Sequence, residues 1–145
     1  MSFGGPLLIA SLSSMLGIRS GMNVSIHNAP AGFMEVLLPL PEGAVLIDSA
    51  KTGLDVQVLF SGKKTELVEK LATLTRGMAV TGAIWVAFPT SIELSHAPSE
   101  DFVRLAALEM GLTDTKKVML DPAWTALNLQ RKAKPPRVEL PSARA

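Results

Sequence analysis

The run from Gly77 to Phe88, GMAVTGAIWVAF, contains no charged residue. Its β-branched and aromatic side chains favour a strand, and it falls short of the ~20 residues that a membrane-spanning helix needs. An apolar strand without alternation is typical of the interior of a parallel sheet, where helices cover both faces. The run therefore predicts a buried strand with helical layers on both sides.

Strand and helix patterns alternate along the rest of the chain. Residues 22–27 alternate apolar and polar side chains, which predicts a strand with one polar face, and 54–60 form a second, mostly apolar strand. The segment 63–76 repeats leucines at helical spacing, and Ser99 suits a helix N-cap. The predicted strands are 22–27, 44–47, 54–60, 77–88, 117–120 and 124–130, and the predicted helices are 7–16, 33–38, 63–76 and 100–110.

This order predicts an α/β fold: a three-layer sandwich around a mostly parallel sheet that ends in an antiparallel C-terminal hairpin. The turn Asp121-Pro122-Ala123 is long enough to reverse the chain between the last two strands. A length of 145 residues suits one domain. We place that domain at residues 1–131 and predict that 132–145 form a flexible, basic, proline-containing tail.

The basic tail admits two interpretations. Residues 129–145 contain five basic residues and one acidic residue. A solvated terminus is favoured, because prolines prevent regular structure and no aromatic residue is present to stack on bases. Nucleic-acid association through these side chains is the less favoured alternative.

The chain has no cysteine and only two histidines. Disulfides, thiolate nucleophiles, iron–sulfur clusters and zinc fingers are therefore excluded, and a clustered transition-metal site is not expected. No spacing typical of a Ser-His-Asp triad, a carboxylate pair or a P-loop occurs, so we predict neither a metal nor a catalytic residue. The uncharged residues Met1 to Ile18 lack the positive n-region of a signal peptide. These features predict a cytoplasmic protein without a membrane segment.

Ligands of open α/β sheets bind beyond the carboxyl ends of the strands, where the strand order reverses. The residues that follow the predicted strands there form the predicted ligand cleft: His27, Ser61, Gly62, Pro89 and Thr90. An unperturbed histidine pKa lies near neutrality, so His27 is a candidate general base or anion contact. A structural, hydrogen-bonded histidine is the favoured interpretation, because no carboxylate lies near it in the sequence.

The chain combines a helix, a lead-in to the first strand at Gly17 to Met22, an acidic residue after the second strand, and a closing hairpin with Trp124. This order is similar to the Rossmann-like fold of S-adenosylmethionine (SAM)-dependent methyltransferases. The segments GIRSGMNVSIHNAPAGF, LDVQVLF, TGAIWVAFP, SEDFVRLAALEMGL and KKVMLDPAWTALNLQRK more narrowly resemble a bacterial family, domain of unknown function 3052. This narrower resemblance covers about Met15 to Lys132. It implies a reduced methyltransferase-like fold and no established activity or cofactor.

The turn after the first predicted strand departs from the methyltransferase pattern. A SAM site usually has a glycine-rich turn for close approach of the backbone, whereas the residues from His27 to Gly32 include one glycine and a proline. Asn28 and Gly32 are the candidate cofactor contacts in this turn. Asp48 lies 22 positions after Ile26, near the spacing at which a carboxylate reaches ribose hydroxyls.

These departures favour a non-catalytic domain that binds an unknown small molecule or protein partner on a degenerate methyltransferase-like fold. We expect no cofactor, and we expect a homodimer formed through an apolar face. The alternative is a SAM-dependent methyltransferase of unknown substrate, in which Asp48 holds the ribose and His27 assists the acceptor.

Overall fold

The computed structural model describes residues 11–47, 52–91 and 96–132 of the chain. The strands are β1 (Asn23–His27), β2 (Val45–Leu46), β3 (Leu54–Phe60), β4 (Met78–Pro89), β5 (Leu112–Asp121) and β6 (Trp124–Arg131). The helices are α1 (Leu12–Met15), α2 (Phe33–Leu37), α3 (Lys64–Gly77) and α4 (Glu100–Glu109). All six strands join one sheet in the order β2-β1-β3-β4-β6-β5.

Strand direction follows the predicted pattern. The neighbours β2, β1, β3 and β4 are parallel, β6 is antiparallel to β4, and β5 and β6 form an antiparallel hairpin at the far edge. Asp121 shapes the hairpin turn, because its Oδ1 accepts hydrogen bonds from the N–H of Ala123 at 2.8 Å and of Trp124 at 2.9 Å. The predicted fold class, a mostly parallel α/β sandwich with a C-terminal hairpin, is confirmed.

Helices cover both faces of the sheet. On one face, α1 and α2 pack over a core that includes Trp85, Phe33 and Phe60, with the two phenylalanine rings edge to face at 4.8 Å. On the other face, leucines of α3 and small residues of α4 pack on the apolar side chains of β3, β4 and β6. Ser99 caps α4 as predicted, its Oγ accepting from the N–H of Phe102 at 3.1 Å.

The structure differs from the predictions in the character of two strands. The polar face of β1 is partly buried, since Ser25 is 1% exposed against the α3 side of the sheet. The strand β5 begins at Leu112, five residues before the predicted start at Lys117. Its first half is polar because it lies at the edge of the sheet, where one hydrogen-bonded neighbour suffices, so apolar alternation did not mark it.

Part of the predicted architecture lies outside the described residues. This holds for the first residues of the predicted helix at 7–16, for Asp48, and for the predicted tail beyond Lys132. Among the residues described, no helix has the length and apolar character needed to cross a membrane.

Candidate functional site

The strand order reverses between β1 and β3, because the chain builds outward from β1 to β2 and then returns to the other side of β1. The carboxyl ends of β1, β3 and β4 therefore share one edge of the sheet. His27 is the last residue of β1, Ser61 and Gly62 follow β3, and Pro89 and Thr90 end β4. These positions are the ones at which open α/β sheets bind ligands.

The turn between β1 and α2 has two left-handed residues. Asn28 has φ 59°, and Gly32, at the N-cap of α2, has φ 91°. Ala31, between them, forms an isolated main-chain β-bridge. Asparagine enters the left-handed region at lower cost than other residues with a side chain, so Asn28 takes a backbone shape that glycine commonly provides. The turn thus places two left-handed residues near the strand reversal.

The predicted cleft is divided between two cavities. His27 and Asn28 line a groove of about 380 Å³ against α3, together with Leu59, Glu69 and Lys70. A second cavity, of about 390 Å³, contains the other predicted residues of the β4 end, Pro89 and Thr90, beside Ser99, Glu100 and Lys117. Ser61 lines neither of these cavities; it is buried, and its Oγ donates to the main-chain oxygen of Lys63 at 3.2 Å. Gly62, the next residue, also lines neither cavity.

His27 is held by a chain of hydrogen bonds beneath the groove. Its Nε2 lies 2.9 Å from Oγ of Ser25, which in turn donates to Oε1 of Gln57 at 3.4 Å. Nε2 of Gln57 donates to the main-chain oxygen of Leu74 at 2.9 Å, in the last turn of α3, where carbonyls lack helical partners. Both interpretations of His27 therefore apply: the ring is structurally bonded, yet it also lines an open groove.

The charges around His27 come from α3. Lys70 pairs with Glu66 at 3.7 Å, and Glu69 lines the same groove. Burial lowers the pKa of His27, and the nearby Lys70 ammonium lowers that pKa further. The imidazole is therefore neutral at pH 7 and can accept a hydrogen bond there.

This lowered pKa predicts a pH dependence of stability. An unfolded histidine titrates near pH 6.5, whereas His27 in the fold resists protonation, so the unfolded state binds more protons as the pH falls below about 6.5. We expect the free energy of unfolding of the wild type to exceed that of His27→Gln most at pH 7.5, and the difference to shrink towards pH 5. Urea unfolding at pH 7.5, 6.5 and 5.0 measures it, and a difference that grows on acidification contradicts the assignment.

The second cavity carries an ion-pair network in place of a histidine. Glu100 accepts from Nζ of Lys117 at 3.1 Å and pairs with Arg104, which also bonds Asp114 at 3.1 Å. The hydrogen bond from Lys117 lowers the pKa of Glu100. Thr90 Oγ1 lies 2.9 Å from Oγ1 of Thr125, which joins the end of β4 to β6. These contacts are those of a structural network on an exposed helix start.

Sequence reasoning missed Ser25, Gln57 and Lys70. A signal existed for two of them: Ser25 lies two residues before His27 on the same face of a strand, and Gln57 is the one amide in the mostly apolar strand LDVQVLF. What the sequence lacks is the register that sets Ser25 opposite Gln57. Among the described residues, no group of three or more acidic or histidine side chains is arranged to hold a metal ion.

No family model and no curated protein matches the chain. A Sulfolobus solfataricus protein described as a type 11 methyltransferase matches with a TM-score of 0.63 at 11% identity, over 85% of this chain and 90% of that one. A SAM-dependent methyltransferase from Aquifex aeolicus matches with a TM-score of 0.58 at 12% identity, over 80% of this chain and 85% of that one. A Bordetella parapertussis protein described as a possible exported protein matches at 0.61 and 14%, over 83% of this chain and 65% of that one. At these low sequence identities, the structural matches show a methyltransferase-like fold and no shared activity.

Proposed function

We propose that this chain binds SAM at the reversal between β1 and β3 and acts as a small SAM-dependent methyltransferase. The observation that carries the proposal is the β1–α2 turn, which lies at the strand reversal and has left-handed Asn28 and Gly32. The structural neighbours from Sulfolobus solfataricus and Aquifex aeolicus are described as methyltransferases. This support favours the SAM-dependent methyltransferase, which was the alternative interpretation of the sequence, over the non-catalytic binding domain.

The turn fits SAM in its backbone shape, with positive φ at Asn28 and Gly32. Main-chain N–H groups beside left-handed residues suit a carboxylate such as that of the SAM amino-acid end. Bound SAM would supply an electrophilic methyl group on its sulfonium. Asp48, the predicted ribose contact, lies outside the described residues and keeps that role as a prediction.

A non-catalytic binding domain is the second candidate. The observation that favours it is the division of the predicted cleft, since His27 and Thr90 line different cavities. The exposed residues Val45 and Leu46 of the edge strand β2 would suit the expected homodimer. That homodimer, a cytoplasmic location and membership of the domain of unknown function 3052 family stay predictions.

SAM binding predicts a thermal shift. A ligand at about 100 times its Kd adds about 2.7 kcal/mol, which raises the Tm of a domain of this size by several degrees. We expect such a shift with millimolar SAM or S-adenosylhomocysteine and none with adenine alone. Differential scanning fluorimetry measures it, and an unchanged Tm with both ligands rules out the methyltransferase proposal.

Gly32→Ala and Gly111→Ala form a matched pair for this experiment. Gly32 has φ 91° and Gly111, beyond the end of α4, has φ 80°, so alanine is strained at both by about 1–2 kcal/mol. We expect both variants to lose similar stability, while only Gly32→Ala loses the SAM-dependent shift. Equal shifts in the two variants would place the ligand away from the β1–α2 turn.

A further inference from the structure

The hydrogen-bond chain that ends on His27 has one consistent direction. The main-chain oxygen of Leu74 can only accept, so Gln57 turns its Nε2 towards Leu74 and its Oε1 towards Ser25. Oε1 also can only accept, and the Ser25 hydroxyl has a single hydrogen, which it gives to Oε1. These hydrogen bonds therefore fix which end of the Gln57 amide is oxygen and which is nitrogen, two atoms that are otherwise hard to tell apart.

The direction of this chain fixes the tautomer of His27. Because the Ser25 hydroxyl donates its single hydrogen to Gln57, it can only accept a hydrogen bond from the imidazole. Nε2 of His27 must therefore carry a proton. In the neutral ring, Nδ1 then carries the lone pair. Within the described residues, Nδ1 has no hydrogen-bond partner, so a fixed acceptor is left for a ligand.

Burial makes this arrangement rigid. Ser25 is 1% exposed and Gln57 is 0% exposed, and the two residues lie opposite each other in the parallel pairing of β1 with β3. Water cannot readily replace either partner, since an unmade hydrogen bond at a buried group is costly. Ser25 and Gln57 are thus positioning residues that act on a ligand through His27.

The charges of the groove select the ligand. Glu66 is paired with Lys70, whereas Glu69 has no cationic partner among the described residues, so these three side chains together carry one negative charge. Negative charge disfavours a carboxylate or phenolate ligand. The lone pair on Nδ1 of His27 and the Glu69 carboxylate are both hydrogen-bond acceptors, so a ligand between them must be a donor. The groove therefore suits a neutral hydroxyl or amine.

We propose that the groove between β1 and α3 holds the methyl-accepting group of the substrate, a neutral hydroxyl or amine that donates its hydrogen to Nδ1 of His27. The inference rests on the proposed function, because His27 directly precedes Asn28 of the SAM-binding turn. On methyl transfer, the acceptor oxygen or nitrogen forms a bond to the methyl carbon, and the electron pair of the broken carbon–sulfur bond stays on sulfur. The acceptor's proton passes to Nδ1 and leaves an imidazolium.

Three SAM analogues test this inference by binding. In each, an amine replaces the sulfonium of SAM and carries a propyl, a 3-hydroxypropyl or a 2-carboxyethyl arm in place of the methyl group. We expect the hydroxypropyl analogue to bind at least about tenfold more tightly than the propyl analogue, by isothermal titration calorimetry. We expect the carboxyethyl analogue to bind more weakly than the propyl analogue.

Variants assign the gain to His27. In His27→Phe, the hydroxypropyl and propyl analogues are expected to bind equally, with the Kd of the propyl analogue unchanged. His96→Gln, at the chain's other, exposed histidine, is expected to keep the full difference. Should none of the analogues bind the wild type, the proposed function fails and this inference with it. Should all three bind the wild type alike, the proposed function stands and this inference is overturned.

NMR tests the fixed tautomer without any ligand, and so keeps the inference testable if His27→Phe does not fold. In long-range ¹H–¹⁵N spectra, the protonated and unprotonated ring nitrogens resonate far apart, and His96→Gln leaves His27 as the only histidine signal. We expect wild-type His27 to be the Nε2–H tautomer at pH 7.5 and Ser25→Ala to give a mixture. An Nδ1–H tautomer in the wild type, or no change in Ser25→Ala, overturns the inference.

Discussion

Replacing Trp85 with alanine is expected to lower the free energy of unfolding by about 3–5 kcal/mol. The side chain is 1% exposed in the layer between the sheet and α1, so its removal leaves a cavity that the neighbours fill only in part. Its indole Nε1 also donates to the main-chain oxygen of Leu16 at 2.8 Å, which joins the end of α1 to the sheet. Since a domain is stable by about 5–15 kcal/mol, the loss is a large share of the total.

Two further variants separate the cavity from the hydrogen bond. Trp85→Phe keeps much of the ring and leaves the Leu16 carbonyl without its indole donor, so we expect a loss of about 1–3 kcal/mol. Trp124→Phe is the control, because Trp124 is partly exposed and its ring contact with Phe60, at 5.1 Å between centroids, is worth about 0.5–1.5 kcal/mol. Urea unfolding measures all three. A smaller loss for Trp85→Ala than for Trp124→Phe contradicts the packing described.

The sequence predicted those elements whose pattern is local. Leu54–Phe60 is a strand at the predicted residues, because glycine and serine mark the two ends of this mostly apolar segment. Ser99 was recognisable as a cap because the N-cap bond reaches only three residues along the chain. The hairpin turn at Asp121 was recognisable for the same reason, since its carboxylate accepts hydrogen bonds from residues only two and three positions along the chain.

The candidate site depended on contacts that no local pattern records. The bond between Ser25 and Gln57 joins residues 32 positions apart, and it exists because parallel pairing sets them opposite each other. The contact from Gln57 to Leu74 further requires that α3 end above β3. Sequence reasoning therefore found His27 as an isolated histidine and could not supply the partners that fix its tautomer. The division of the cleft into two cavities was hidden for the same reason.

Asn28 shows what composition leaves out about the backbone shape of the turn. A turn with one glycine is predicted to be poorly suited to SAM, because glycine is the residue that most readily adopts a positive φ. In the structure, Asn28 adopts φ 59° without being glycine, and Gly32 supplies the second left-handed position at φ 91°. The backbone shape of the turn therefore depends on which positions are left-handed and not on the number of glycines.

Gly82→Ala is expected to lower the free energy of unfolding by about 3 kcal/mol, the upper end of the usual range for an overpacked site. A Cβ at this buried position would lie 2.7 Å from the main-chain oxygen of Leu54 and 3.2 Å from main-chain atoms of Ala79. These backbone atoms cannot relieve the clash by changing rotamer, as a flexible side chain could. The register between β3 and β4 is irregular here, with Leu54 opposite Met78 and Val56 opposite Ala83, so Gly82 closes a bulge against β3.

Gly62→Ala is the matched control, because an added Cβ there meets no atom within 4 Å and the position has no positive φ. We expect its free energy of unfolding to lie within about 0.5 kcal/mol of the wild type. Chemical denaturation compares the two variants, and amide hydrogen exchange locates the damage. Faster exchange in Gly82→Ala should concentrate at Leu54 to Val56 and Met78 to Ala83, since the bulge must open to admit the methyl group while the β4–β6 pairing beyond it stays closed. Uniform exchange across the sheet would show instead that this bulge and the rest of the sheet unfold as one unit.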